Sequence, residues 1–258
     1  MNTIITIGRE FGSGGREIGS KLAEKYGIPF YDKELLEEAA KHSGICEELF
    51  VKHDESCSNS FLYSLVMGTY PMTPDGRINP EMPLNHRIFL AQFETIKKLA
   101  TGPCVIVGRC ADYVLQDNPK MISVFVTGDM VEKKRRITER YDIEKNKAVD
   151  FIKKTDKRRA NYYEYYTDRK WGAATNYDIT VNSSKVGIDG AVEMISAYIG
   201  LAVIFVLSHL IYPLALPMHK EHLHEILLLH GEVQHPFYEF YPLLYKFAND
   251  LIIPAQIY

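Results

Sequence analysis

Gly8-Arg9-Glu10-Phe11-Gly12-Ser13-Gly14-Gly15-Arg16-Glu17 decides how the rest of this 258-residue chain is read. Just upstream, Asn2-Thr3-Ile4-Ile5-Thr6-Ile7 is a β-branched run that predicts a short buried strand. Downstream, Ile18, Leu22, Ala23 and Tyr26 share one helical face, and Gly27 stands where helices end in the left-handed conformation. Strand, glycine-rich turn and helix form the arrangement in which backbone amides and a helix N-terminus meet an anion. The strict phosphate-loop pattern G-x-x-x-x-G-K-[ST] is not met. With the glycines kept in register, Gly15 and Arg16 follow Gly14, and Glu17 takes the place of the hydroxyl. Arg16 is the candidate for the missing cation, because a guanidinium grips phosphate oxygens in two places. On this stretch alone, a phosphate loop and a plain turn between strand and helix both stay open.

Working outward, the length suits one domain, or one domain with an appendage. A hydrophobic content of 46% is enough for a core, and a net charge of −3 argues against general nucleic-acid binding. Cys46, Cys57, Cys104 and Cys110 show no C-x-x-C spacing, which fits a reducing cytosol. No basic-then-apolar leader precedes the first strand, so a cytoplasmic setting is expected.

Ile28-Pro29-Phe30-Tyr31 reads as a second strand ending on Asp32, which is either a site residue at the strand end or the N-cap of a helix over 33–42. Helices are expected over 46–53 and 59–67, a turn or small hairpin over 71–80, and a long helix over 84–100. Cys104-Val105-Ile106-Val107 is a third strand, and Gly108-Arg109 beyond it repeats the order of strand, glycine and basic residue. A fourth strand over 122–127 leads into a helix over 130–141. The span 133–170 then holds 14 of the 30 lysines and arginines against 7 acidic residues, so it is either a solvated helical face or a lid that closes over polyphosphate. A fifth strand over 176–182 and a helix from Ile188 complete the pattern. Five alternations of strand and helix predict a doubly wound parallel α/β sheet.

In the order and spacing of four stretches, residues 1–198 resemble the cytidylate-kinase-like family of P-loop nucleoside monophosphate kinases. The stretches are 8–19, Phe30-Tyr31-Asp32-Lys33-Glu34-Leu35, 105–115 and 161–188. The resemblance implies a five-stranded kinase fold with a helical lid over about 133–172 and an insert over 44–84. It implies ATP and Mg2+, with nucleotides as the substrates. It assigns donor ATP to Gly8, Arg9, Gly12, Ser13, Gly14, Gly15, Arg16 and Glu17, with Arg135 and Arg136 at the lid base. It assigns the acceptor to Asp32, Arg109, Asp112, Asp156 and Arg159, and catalysis to Arg16, Arg109 and Arg159. No metal-ligating residues are assigned. The chain departs from the family at several points. The loop lysine and hydroxyl are absent, the insert matches poorly, and Cys110 stands where cytidylate kinases carry an aspartate that helps recognise cytosine.

The tail, 199–258, lies outside the resemblance and is expected to be a helical or irregular extension. From Met194 to Met218 no residue is charged, long enough for a membrane span, yet Gly200, Ser208, His209, Pro213 and Pro217 favour a buried last helix instead. His219, His222 and His224 lie on an amphipathic stripe and define no metal set. The leading expectation is transfer of a phosphoryl group from ATP to CMP or dCMP. The rivals are a kinase of another small acceptor, and a nucleotide-binding regulatory module that has lost catalysis.

Overall fold

The computed structural model describes residues 3–55, 82–141 and 143–215. The expected helix over 59–67, the turn over 71–80 and the histidines beyond position 218 lie outside them. The chain divides into a unit Met1–Glu193 and a second unit Met194–Tyr258.

Five strands form one parallel sheet. β1 (Ile4–Arg9) is central, between β3 (Cys104–Val107) and β4 (Met121–Thr127). Outside them lie β2 (Phe30–Tyr31) beside β3 and β5 (Ile179–Asn182) beside β4. The register sets Ile5 against Val105 on one side and against Ile122 on the other. β1 runs further than its β-branched core predicts, because Gly8 and Arg9 stay paired with Phe125 and Val126 of β4. Gly8 is therefore a strand residue, where a Cβ would press against Phe125 and Tyr177 at 2.8 and 3.2 Å.

Alternation along the strands sends residues to opposite faces, and both faces are covered. Ile4, Cys104 and Ile106 join a core with Leu35, Phe50, Ile88 and Ile96 from α2 (Glu34–Ser43), α3 (Glu47–His53) and α4 (Leu84–Leu99). Ile7 and Val107 face the other way and meet α1 (Gly15–Tyr26) at Gly19, where a Cβ would come within 2.9 and 3.3 Å of them. The remaining α-helices among the described residues are α5 (Ala111–Val114), α6 (Met130–Arg140), α7 (Ala148–Thr167) and α8 (Ser183–Ala215). α6 and α7 form the basic segment expected as a lid.

α8 is two helical segments that meet at a kink: Gly187, with φ of 74° and ψ of 177°, is non-helical, and the longer segment follows it from the expected Ile188. Up to Glu193 it is tied to α1 by ion pairs Lys21–Asp189 and Lys25–Glu193, at 2.5 and 2.8 Å. Its stretch Ser183–Val203 is long and apolar enough to cross a membrane by length and composition, a test that core helices of soluble proteins also pass.

Candidate active site

All the strands point their carboxyl ends toward one edge of the sheet, and the connections leaving that edge carry the candidate residues. The loop between β1 and α1 turns through Gly12 and Gly14, whose φ values of 82° and 81° favour glycine. At Gly14 a side chain would also run into Ile188 of α8. The loop's carbonyls are held from outside. Arg136 Nη1 donates to the carbonyls of Gly12 and Ser13 at 3.4 and 3.1 Å, and Ser183 Oγ donates to that of Ser13 at 2.5 Å. Gly14 caps α1 without a side-chain hydrogen bond, so the first-turn amides keep their capacity to meet an anion.

Glu10 and Asp156 fasten this loop to the lid helices. One Glu10 oxygen, Oε2, accepts from Thr127 Oγ1 at 2.8 Å, the Gly128 amide at 3.1 Å and Lys133 Nζ at 3.2 Å. Asp156 accepts from the Phe11 amide at 2.6 Å and from Lys133 at 2.7 Å. Lys133 is thus a buried ammonium, 4% exposed, satisfied by two carboxylates.

Beside the loop lies a cluster of arginines and acids. Arg109, 1% exposed, donates to both oxygens of Asp54 at 3.0 and 2.9 Å, to Asp32 at 3.3 Å and to the Val107 carbonyl at 3.1 Å. Asp32 also accepts from Arg16 Nε at 2.7 Å. Glu55 binds Arg9 through one oxygen and Arg159 through the other, the latter at 2.9 Å. Arg159 lies over the Phe11 ring, 5.6 Å from its centroid.

Burial opposes the charged form of Asp32, Asp54, Glu55, Arg109 and Arg159, and neighbouring charges offset it to different extents. For Asp32, burial pushes the pKa up, but Arg109 and Arg9 outweigh it and hold the carboxyl below its usual range. Glu55 is likewise buried and likewise lowered, by Arg9, Arg159 and Arg109. At Asp54 burial wins and the pKa is raised despite Arg109. Burial works against the Arg109 cation, and Asp54, Asp32 and Glu55 raise its pKa regardless. Arg159 is lowered by burial first and by Arg9 second.

The turn that presents Arg109 is itself unusual. Gly108, Arg109 and Cys110 have φ values of 77°, 54° and 57°, a left-handed run that non-glycine residues rarely adopt. Cys110 is buried and its pKa stands well above the usual thiol value because of that burial. Asp112, also buried and raised by burial, accepts a 2.7 Å hydrogen bond from Tyr163. It lines the same small cleft as Arg9, Glu55, Arg109 and Arg159.

Of the residues singled out in the sequence, the structure gathers Arg9, Gly12, Ser13, Gly14, Gly15, Arg16, Asp32, Arg109, Asp112, Arg136, Asp156 and Arg159 around the loop and this cleft. Asp32 does not cap its helix; Lys33 holds that place, and the Asp32 carboxylate turns to the arginines. Two residues lie elsewhere. Arg135 is exposed and pairs with Glu132 and Glu139 of its own helix, away from Arg136's loop contacts. Glu17 is half-buried and lies 3.7 Å from Arg140. Asp54, Glu55, Lys133, Glu10 and Ser183 were not singled out. Asp54 and Glu55 fall in the poorly matching insert, and Lys133 is one basic residue among many in its run. The adjacent acidic pair directly after an amphipathic helix was the one available signal.

The family model described as the cytidylate kinase-like family matches residues 4–185, which contain all five strands. A cytidylate kinase from Methanococcus aeolicus is 27% identical over 196 residues, covering 74% of this chain and 94% of that protein. The crystal structure of an uncharacterized protein from Eubacterium ventriosum is 38% identical, with a TM-score of 0.57, covering 76% of this chain and 98% of that one.

Proposed function

The chain belongs to the cytidylate kinase-like family, and on that premise we propose that it moves the terminal phosphoryl group of ATP to a nucleoside monophosphate, CMP or dCMP. It is a nucleotide-kinase-like phosphotransferase. One observation carries the reading. At the sheet edge where β1 runs into a glycine loop and an uncapped helix N-terminus, Arg9, Arg109 and Arg159, carried by three separate elements, line one cleft.

In this reading the loop from Gly12 to Gly15 and the first-turn amides of α1 take the donor phosphates, and Arg136 and Ser183 keep the loop in shape. Arg159, carried on the lid helix, and Arg9 meet the transferring group, while Asp32, Arg16 and Arg109 stand on the acceptor side. Phosphoryl transfer asks the protein for positioning and charge neutralisation, and no covalent intermediate with a side chain is needed. Mg2+ accompanies ATP and neutralises phosphate charge, with phosphate oxygens and water supplying most of its ligands in this reading. Residues 1–198 are the kinase unit of this reading, set in the reducing cytoplasm, and 199–258 are an extension outside it.

Cys110 supports a second acceptor. Where cytidylate kinases carry the cytosine-reading aspartate, this chain has a buried thiol held neutral by its surroundings, which cannot pair with an exocyclic amine as a carboxylate does. An ADP-release assay with Mg-ATP and each common nucleoside monophosphate tests both. CMP or dCMP is expected to give the fastest release; another acceptor giving it favours the second reading. No acceptor-dependent ADP with any of them would refute the kinase reading.

A further inference from the structure

Arg9, at the end of β1, and Arg159, on α7, meet on a single carboxylate. Glu55 Oε1 accepts from Arg9 Nη1, and Oε2 accepts from Arg159 Nε at 2.9 Å. Arg159 Nη1 also reaches the Arg9 carbonyl at 3.1 Å. The three side chains are only 11%, 13% and 7% exposed. Two nearly buried guanidiniums repel each other unless an anion lies between them. A carboxylate whose two oxygens are gripped by two arginines reproduces the way such arginines hold phosphate oxygens.

There is no room for both anions. The cleft lined by Arg9, Glu55, Gly108, Arg109 and Arg159 encloses about 20 Å³, the space of about one water molecule. A side chain at Gly108 would collide with the Arg9 guanidinium and the Glu55 carboxylate. Glu55 itself follows the end of α3 with a φ of 48°, a strained conformation for a non-glycine residue. Its carboxylate is held there by the two ion pairs.

We propose that Glu55 is a built-in anion that keeps Arg9 and Arg159 in a phosphate-binding geometry and is exchanged for a phosphate group of the substrate. This rests on the phosphotransferase reading above. Glu55 is then a positioning residue. Before substrate enters, it holds two arginines that would otherwise splay apart, and it leaves when a more highly charged group arrives.

The test is Glu55→Gln in the full chain, with inorganic tripolyphosphate as the probe and isothermal titration calorimetry as the readout. Removing the competing charge while keeping the shape is expected to tighten tripolyphosphate binding at least tenfold, and a second change, Arg159→Ala, should abolish the gain. Loss of stability alone does not discriminate, since an ion-paired Glu55 stabilises the fold in either case; a purely structural Glu55 predicts unchanged or weaker binding, and that result overturns the proposal. Should the variant not fold, hydrogen exchange on the unaltered chain decides. Tripolyphosphate is expected to accelerate exchange over residues 47–55, and unchanged exchange with the probe bound overturns the proposal. Neither measurement uses an acceptor or turnover, so a negative kinase screen and a failed exchange are separate results.

Discussion

Arg158 and Arg159 are neighbours on α7 with opposite surroundings, and the pair makes a sharp test of the lid. Arg158 is exposed. Arg159 is 13% exposed, bound to Glu55 and the Arg9 carbonyl, and stacked over Phe11. If Arg159 meets the transferring phosphoryl group, Arg159→Ala removes one charge-assisted contact, about 1.5–3 kcal/mol. That is a fall of roughly 10- to 150-fold in kcat/KM. A contact completed as the lid closes on both substrates should lower kcat at least as much as it raises KM. Arg158→Ala should stay within about 0.5 kcal/mol of the unaltered protein. The fold should survive the Arg159 change, since Glu55 keeps Arg9 and one source of like-charge repulsion disappears. Steady-state ADP release with the best acceptor, alongside a thermal melt of each variant, reads all of this. Equal and small effects at both positions would refute the lid assignment.

Arg16→Ala should raise KM for the acceptor more than for ATP, because Arg16 Nε is tied to Asp32 at the end of β2; an effect confined to ATP in the same steady-state assay would return Arg16 to the donor loop. Gly14→Ala puts a side chain at a φ of 81° and into Ile188, so it should cost on the order of 1–2 kcal/mol from backbone strain alone and weaken ATP binding, measured by thermal melts and calorimetry; an unperturbed variant would show that the loop tolerates a different turn. Asp32 and Glu55 have folded-state pKa values below their ordinary 3.8 and 4.5, so the stability they confer is complete above about pH 4.5 and is lost as pH falls through the lowered values. Asp54, raised from 3.8, works in the opposite direction and regains part of that loss on protonation. Melting temperature followed from pH 6 downward should therefore drop mainly below about pH 4, and a curve that Glu55→Gln leaves unchanged would show that this carboxylate is not responsible.

Much of the domain was legible because its signals are local. A β-branched run before a glycine turn places β1, periodic apolar positions place α1 and α4, and alternating strand and helix patterns imply a parallel sheet. Boundaries moved where pairing between strands overrode the local pattern, as at Gly8 and Arg9. Side-chain direction was less legible. Arg135 and Arg136 are neighbours of one chemical type, yet successive helix positions point about 100° apart, so one reaches the loop and the other reaches its own helix.

By itself the sequence determined the order of elements, the glycine loop after the first strand and the set of cations available at the strand ends. These follow from backbone preference and periodicity within a dozen residues. Only the tertiary structure decided which charges meet. Glu55 lies 46 positions from Arg9 and 104 from Arg159, and Asp54 lies 55 from Arg109. No periodic pattern couples residues so far apart. Packing of the helices over the sheet brings them together, and burial then requires that each charge find its opposite.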